Sequence, residues 1–253
     1  MEGIKIFIGV ILLSLGGCIE GYEVDNSDPA RDSFAIAEKT NEFGWNLFQQ
    51  KVKESGDENV LISPLSIQVA LSMALNGANG ITLSEMRSVL GFADWKVSDI
   101  NLQTAALRAL MEDENQKASL ISANGFFYDP NRVFILDSFI DPLVNQYRAG
   151  FLELNFEDPS TIPVINDWVK ANTDGKITDL IKEIRDEDIA ILINALAFKA
   201  DWANGFDTRD TKKGLFTTGQ GTQIAADFIG GNREFSIGET ENFIMVDLPF
   251  IDS

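Results

Sequence analysis

Histidine is absent from this sequence of 253 residues, and cysteine occurs once, as Cys18. Without histidine the chain cannot form a Ser-His-Asp or Cys-His catalytic centre, or a metal site built on imidazole. One cysteine excludes a disulfide bond within the chain. Paired carboxylates are still available for catalysis, but no motif gives a particular Asp or Glu such a role. We therefore expect no catalytic residues, no cofactor and no metal.

Basic residues are scarce as well. Lys and Arg number 20 against 39 Asp and Glu, which gives a net charge of −19. Nucleic acids bind to basic surfaces, because their phosphates carry negative charge, so we expect no nucleic-acid partner. The acidic surface is explained by solubility alone. With 45% hydrophobic and 23% charged residues, the composition is typical of a globular protein, and the length fits one large domain.

The amino terminus carries an apolar run, residues 6–15, that is too short to span a bilayer comfortably. It follows Lys5 and ends in two glycines directly before Cys18. This order is typical of a secretory signal that ends in a bacterial-type lipobox, residues 15–18. We predict a lipoprotein-type signal peptide at residues 1–17, lipid attachment at Cys18 and a polar tether at residues 18–32. The alternative is a retained amino-terminal anchor.

Several segments have helical patterns. In residues 34–51 apolar residues stand among charged ones in a pattern that favours an amphipathic helix. Ser63 and Pro64 begin a second helix, in which serine caps the free amides and proline takes the first position. Thr82 and Glu85 match a capping box for a third helix that Gly91 ends. Further helices are predicted around residues 139–147 and 164–169.

Three segments have the composition of strands: residues 119–128, 151–156 and 189–198. The last is apolar throughout except for Asn194, which predicts a strand that is covered by helices on both faces of its sheet. Asn194 is then a buried amide that needs polar partners, because leaving it unpaired would cost about 1–3 kcal/mol.

The order of these segments resembles the amino-terminal part of a serpin, a protease-inhibitor fold. The resemblance is most specific in residues 59–86 (NVLISPLSIQVALSMALNGANGITLSEM) and 193–202 (INALAFKADW). The positions of the first segment that match the family pattern are Asn59, Ser63, Pro64, Ser66, Ala70, Leu71, Met73, Gly77, Ala78, Thr82 and Glu85. The resemblance implies an α+β fold in which helices pack on a large central sheet, and a serpin domain at residues 33–253.

What the resemblance implies for function is a mechanical trap. In inhibitory serpins a protease cleaves an exposed reactive loop, which stays attached to the protease and inserts into the central sheet. Ser63, Ser66 and Asn194 match the shutter, the polar cluster where the sheet parts, and Trp202 matches the breach, where insertion begins. Each residue has a simpler alternative: Ser63 as a helix cap, Asn194 as a satisfied core amide, and Trp202 as a packed aromatic.

The family's last sheet strands and its reactive loop follow the position that corresponds to Ser253. We therefore expect residues 33–253 to be an incomplete serpin domain that does not inhibit by itself. The complete protein is expected to act outside the cytoplasm, secreted or lipid-anchored to a membrane through Cys18, on serine or alternatively cysteine proteases. A non-inhibitory binding protein or a chaperone-like module is the competing hypothesis.

No glycosaminoglycan partner is expected. Some serpins bind these polyanions through a basic helix, and residues 92–117 correspond to it. This segment carries five acidic residues against three basic residues, Lys96, Arg108 and Lys117. A polyanion would be repelled by that balance of charge.

Overall fold

A computed structural model of the chain describes residues 29–56, 58–112, 119–231, 235–241 and 243–251. The predicted signal peptide and Cys18 lie outside these residues. Six helices precede or separate the strands of the main sheet. Their bounds are α1 Pro29–Ser55, α2 Pro64–Leu75, α3 Gly80–Val89, α4 Val97–Met111, α5 Asp137–Asn145 and α6 Thr161–Asn172. Helix α1 thus includes the last residues of the segment interpreted as a tether.

Helix α2 begins as the sequence predicts. Pro64 is the first helical residue, and the Ser63 hydroxyl accepts a hydrogen bond from the Ser66 amide at 3.4 Å. Helix α3 does not: its N-cap is Asn79, whose side chain accepts from the Gly80 amide at 2.7 Å. The predicted capping box at Thr82 is therefore wrong, because asparagine is the stronger cap and stands three residues earlier.

The main sheet has three strands in the order β2–β1–β3. Strand β1 spans Ser119–Tyr128, β2 spans Gly150–Glu153 and β3 spans Ala190–Lys199. β1 and β2 run parallel, whereas β1 and β3 run antiparallel with Asn124 directly opposite Asn194. The predicted strand at residues 151–156 ends early because the Phe156 amide turns to donate to the Asp129 carboxylate at 3.0 Å.

Helices cover both faces of this sheet, as the apolar run of β3 predicts. On one face, Val69 and Met73 of α2 pack in a core that includes Phe126 of β1. On the other, Ile165 and Val169 of α6 pack against Ile193, Ala195 and their neighbours. Burying a side chain of this size stabilises a fold by about 1.5–3 kcal/mol. A third core joins α1, α2 and α4 around Ile36, Leu75 and Ile100.

Helix α6 approaches the sheet closely through Trp168. A Cβ atom added at Gly125 of β1 would lie 2.9 Å from the Trp168 ring, and one added at Gly150 of β2 would lie 2.7 Å from it. At Gly150 the indole excludes a side chain, and at Gly125 the Phe127 ring, 2.8 Å from the added atom, excludes one together with the indole.

The remainder of the described chain forms two hairpins. β4, Lys212–Thr217, pairs with β5, Gln223–Phe228, and β6, Ser236–Glu239, pairs with β7, Ile244–Asp247. No described residue between positions 200 and 251 is buried. None of the helices in the described part of the chain is long and apolar enough to cross a membrane.

Candidate functional site: a polar cluster between helix α2 and strand β3

The centre of the site is a hydrogen bond between a helix and a strand. The Ser66 hydroxyl, in the first turn of α2, donates to the Asn194 side-chain carbonyl, in the middle of β3. The Asn194 amide nitrogen donates to Asn124 Oδ1 at 2.7 Å and to Ser122 Oγ at 3.4 Å. Asn194 is half-buried, and both its oxygen and its nitrogen have partners, as a buried amide requires.

Ser63 contributes to this cluster through the helix. Its hydroxyl caps the amide of Ser66, and this fixes the first turn of α2 from which the Ser66 side chain reaches β3. The structure therefore brings Ser66 and Asn194 into direct contact. Ser63 is linked to them through its hydrogen bond with the Ser66 amide. Serine at an N-cap is worth about 1 kcal/mol to a helix.

Sequence reasoning did not assign Ser122 and Asn124 to the site. Asn124 lies opposite Asn194 in the antiparallel register, and this pairing puts their side chains on the same face of the sheet. The sequence marks Asn124 and Asn194 as polar residues that each lie inside a mostly apolar strand. The register that joins them had to come from the structure.

A line of further hydrogen bonds extends from the cluster to the helices. Asn124 donates to the backbone carbonyl of Tyr147 at 2.7 Å, and the Tyr147 hydroxyl donates to Asn101 Oδ1 of α4 at 2.7 Å. Asn101 in turn donates to Asn76, the C-cap of α2, at 2.7 Å. Tyr147 is 1% exposed, and burial raises the pKa of its hydroxyl above the ordinary value. The hydroxyl is thus a donor at physiological pH.

Trp202 lies away from this cluster, after the end of β3. Its ring stacks on Phe250 with centroids 4.6 Å apart and meets Phe206 edge-on at 6.0 Å. Two backbone hydrogen bonds flank Trp202. The Ala203 amide donates to the Pro249 carbonyl at 2.9 Å, and the Ile251 amide donates to the Asp201 carbonyl at 2.8 Å. Trp202 keeps 38% of its surface exposed. It therefore joins the end of β3 to the chain that follows β7.

Helix α4 offers little to a polyanion. Arg108 is 8% exposed, and its guanidinium pairs with Glu112 at 2.9 Å and donates to the Gln146 carbonyl at 3.0 Å. Burial raises the pKa of the Glu112 carboxyl more than the neighbouring arginines lower it. Lys117 lies outside the described residues. Arg108 is consequently an interior residue and does not form part of a basic surface.

The site consists of hydroxyls and amides, which are neutral and can both donate and accept. Such groups support no nucleophilic or acid–base chemistry in this arrangement. They can exchange partners at small cost, whereas interlocked apolar side chains resist separation. Chemically, the cluster is suited to hold α2 on β3 and to let this contact rearrange.

An α+β protein with helices on both faces of its sheet, and with this polar cluster between α2 and β3, has the architecture of a serpin. The solved structure of the thermophilic serpin tengpin in its latent state matches the chain with a TM-score of 0.74 and 30% identity, over 91% of this chain and 59% of that one. A family model described as Serpin (serine protease inhibitor) matches residues 38–253. The chain belongs to the serpin family.

Individual relatives differ in what their names describe. Human alpha-1-antichymotrypsin is 32% identical over 184 residues, which are 72% of this chain and 43% of the relative. Sheep corticosteroid-binding globulin is 30% identical over 205 residues, which are 80% of this chain and 47% of the relative. The chain spans about half the length of the curated relatives it matches. The predicted family and the predicted α+β serpin fold are confirmed.

Proposed function

We propose that the full-length gene product inhibits serine proteases by inserting a cleaved reactive loop into its main sheet. The observation that carries the proposal is the polar cluster at the centre of β3, where Asn194 is bonded to Ser66 and ties the strand to α2. Among the described strands β3 pairs with β1 alone. In the full-length gene product the family's later sheet strands would lie beyond the other edge of β3, and the loop would insert between them and β3.

Insertion beside β3 is physically favourable. The strand has ten residues, and a new strand along it would satisfy backbone donors and acceptors and bury apolar surface. α2 must shift relative to β3 while the sheet opens. In the proposal Ser63, Ser66 and Asn194 act as the shutter that permits this shift, Ser122 and Asn124 take part by exchanging partners with Asn194, and Trp202 lies at the breach.

The proposed location is outside the cytoplasm. A signal peptide at residues 1–17, a lipid on Cys18 and a tether up to residue 32 would hold the serpin domain from residue 33 at a membrane surface. Labelling cells with a fatty-acid probe tests this part by itself. We expect a Cys18→Ser variant to lose the label and to leave the membrane fraction; a labelled variant would contradict the assignment.

The inhibitory function is tested by mixing the full-length gene product with a panel of serine proteases and separating the products in SDS. We expect a covalent complex with at least one protease and none with the same protease after its catalytic serine is blocked. Cysteine proteases form a second panel. Cleavage of the chain without a stable complex in either panel would contradict inhibition.

A non-inhibitory binding protein is the second candidate, and similarity to corticosteroid-binding globulin favours it. Under this candidate the protein would bind a small apolar ligand and would be cleaved without trapping the protease. Saturable quenching of tryptophan fluorescence by a steroid, together with no SDS-stable complex, would support it over inhibition. We propose no enzymatic activity and expect no retention on heparin at physiological salt.

A further inference from the structure

The three strands of the main sheet meet at one end, where β1 and β2 stop and β3 starts. Tyr128 of β1 is paired there with Glu153 of β2 and with Ala190 of β3. The pairing of β1 and β3 continues for one further residue, because the Asp129 amide donates to the Ile189 carbonyl at 3.1 Å. The segment that leads from α6 to β3 therefore meets the turn after β1 at this point.

Arg132, in the turn after β1, contacts the chain next to all three strands. One terminal nitrogen of its guanidinium donates to the backbone carbonyls of Asp186 at 2.8 Å and of Asp188 at 2.9 Å. Its Nε lies 3.3 Å from the carboxylate of Asp129. Its other terminal nitrogen lies 3.5 Å from the carboxylate of Glu157, which follows β2. The side chain is 19% exposed, so water competes only in part for these contacts.

Asp129 keeps the guanidinium in position. Its carboxylate accepts from the Asn131 amide at 2.9 Å and from the Phe156 amide at 3.0 Å, and its side chain is 1% exposed. A buried carboxylate is costly unless a positive group and hydrogen bonds compensate its charge. Arg132 supplies that charge, and the two amides supply the hydrogen bonds. Asp129 thus joins the chain after β1 to the chain after β2.

The connection between α6 and β3, residues 173–189, is held at its other end by α6 itself. The Asn166 side-chain oxygen accepts from the Leu180 amide at 3.0 Å and from the Ile181 amide at 2.9 Å. The Asn166 amide nitrogen donates to the Ile181 carbonyl at 2.8 Å. The connection has no helix or strand of its own. Its position on the sheet therefore depends on side chains that bind its backbone, Asn166 of α6 and Arg132 after β1.

We propose that Arg132 is a positioning residue that makes β3 move together with β1, β2 and α6. Hydrogen bonds from a charged donor are stronger than neutral ones, and this guanidinium holds the start of β3 to the ends of both other strands. Lysine cannot replace it, because an ammonium group lacks the planar set of five donors that reaches several acceptors at once. In the proposed inhibition this coupling would keep β3 on β1 while the loop inserts on the other side. That consequence rests on the proposed function, whereas the coupling of the strands does not.

Hydrogen exchange of the full-length gene product, measured by mass spectrometry without a protease, tests the coupling. We expect Arg132→Gln to speed the exchange of peptides that contain Asp129 and residues 190–192 by about tenfold or more. Arg132→Lys should give nearly the same increase. Arg185→Gln is the matched control, because Arg185 pairs with Asp188 of the same connection but is 62% exposed. We expect it to change the exchange by less than about twofold.

Unchanged exchange in Arg132→Gln would overturn the proposal, and so would exchange in Arg132→Lys equal to that of the unmodified protein. An equal increase in the peptides of α1 would also overturn it, since Arg132 would then contribute only to overall stability. If Arg132→Gln does not fold, Arg132→Lys decides alone, because it keeps a positive charge beside Asp129. A protein that traps no protease would contradict the proposed function and leave the exchange result valid.

Discussion

The chain has two regions that contain similar apolar residues but differ in how far these residues are buried. In residues 29–199, apolar side chains meet in three cores around the main sheet. In residues 200–251 the hairpins also carry leucine, isoleucine and phenylalanine, yet these side chains are exposed. Those at least 60% exposed are Leu215, Ile229, Ile237 and Ile244. The difference shows that strand pairing alone buries little.

What buries a strand is a second layer. α2 and α6 cover the two faces of the main sheet, so alternate side chains of β3 are removed from water on either side. β4–β5 and β6–β7 pair only within their own hairpins in the described part of the chain. Within the described residues no second layer buries the side chains of these hairpins.

The same substitution in each region should have very different effects. Ile165→Ala, at a fully buried position of α6, should lower the free energy of unfolding by about 2–5 kcal/mol, because it leaves a cavity. Ile237→Ala, at a position of β6 that is 65% exposed, should change it by less than about 0.5 kcal/mol. Urea unfolding measures both. A loss at Ile237 equal to that at Ile165 would show that the second region is covered in solution.

Within the first region, the next largest effect should come from the polar cluster. Asn194→Ala removes the partner of Ser66 and of Asn124 together and should destabilise the protein by about 2–3 kcal/mol. Asn46→Ala, at an exposed position of α1, is the matched control and should be neutral, since alanine favours a helix. Equal urea midpoints for the two variants would mean that the cluster does not stabilise the sheet.

The line of hydrogen bonds from Asn124 to α4 should matter less. Tyr147→Phe removes the hydroxyl that donates to Asn101, but Asn101 Oδ1 also accepts from Asn76 at 3.2 Å. We therefore expect a loss of about 1 kcal/mol. Tyr128→Phe is the control, because the Tyr128 hydroxyl donates at 2.5 Å to Glu153, an exposed carboxylate that water solvates once it is released. A larger loss for the control than for Tyr147→Phe would contradict this ranking.

The smallest effect should appear as a pH dependence at Asp129. The Phe156 amide, the Asn131 amide and nearby Arg132 hold the pKa of this carboxyl below its usual range. A lowered folded-state pKa contributes stability above the unfolded pKa, near 4, that is lost as the pH falls through the folded value. Asp129→Asn should thus be less stable than the unmodified protein at pH 7.

The difference in the free energy of unfolding between Asp129→Asn and the unmodified protein should shrink in acid. A series of urea unfolding curves from about pH 7 to about pH 3 measures this change. A constant difference across the series would show that Asp129 acts through shape and not through its charge.

Local sequence patterns were sufficient where a structure depends on neighbours in the chain. Ser63 and Pro64 specify the start of α2, and the apolar run of β3 specifies a strand covered on both faces. The start of α3 was misread because two N-cap residues, Asn79 and Thr82, compete within four positions and only one of them is used.

The site was only partly predictable. Ser66 and Asn194 are 128 positions apart and were matched through resemblance to a family, since no local pattern joins them. Asn124 joins the cluster because the register of β1 and β3 places it opposite Asn194. Tyr147 joins it through a backbone carbonyl, which every residue has, so no feature of the sequence marks it.

The indole of Trp168 lies across two neighbouring strands, over Gly125 of β1 and Gly150 of β2. Because it contacts both backbones, neither strand can slide along the other without displacing α6. The two strands and α6 should consequently open as one cooperative unit, and their slowly exchanging amides should share a single protection factor.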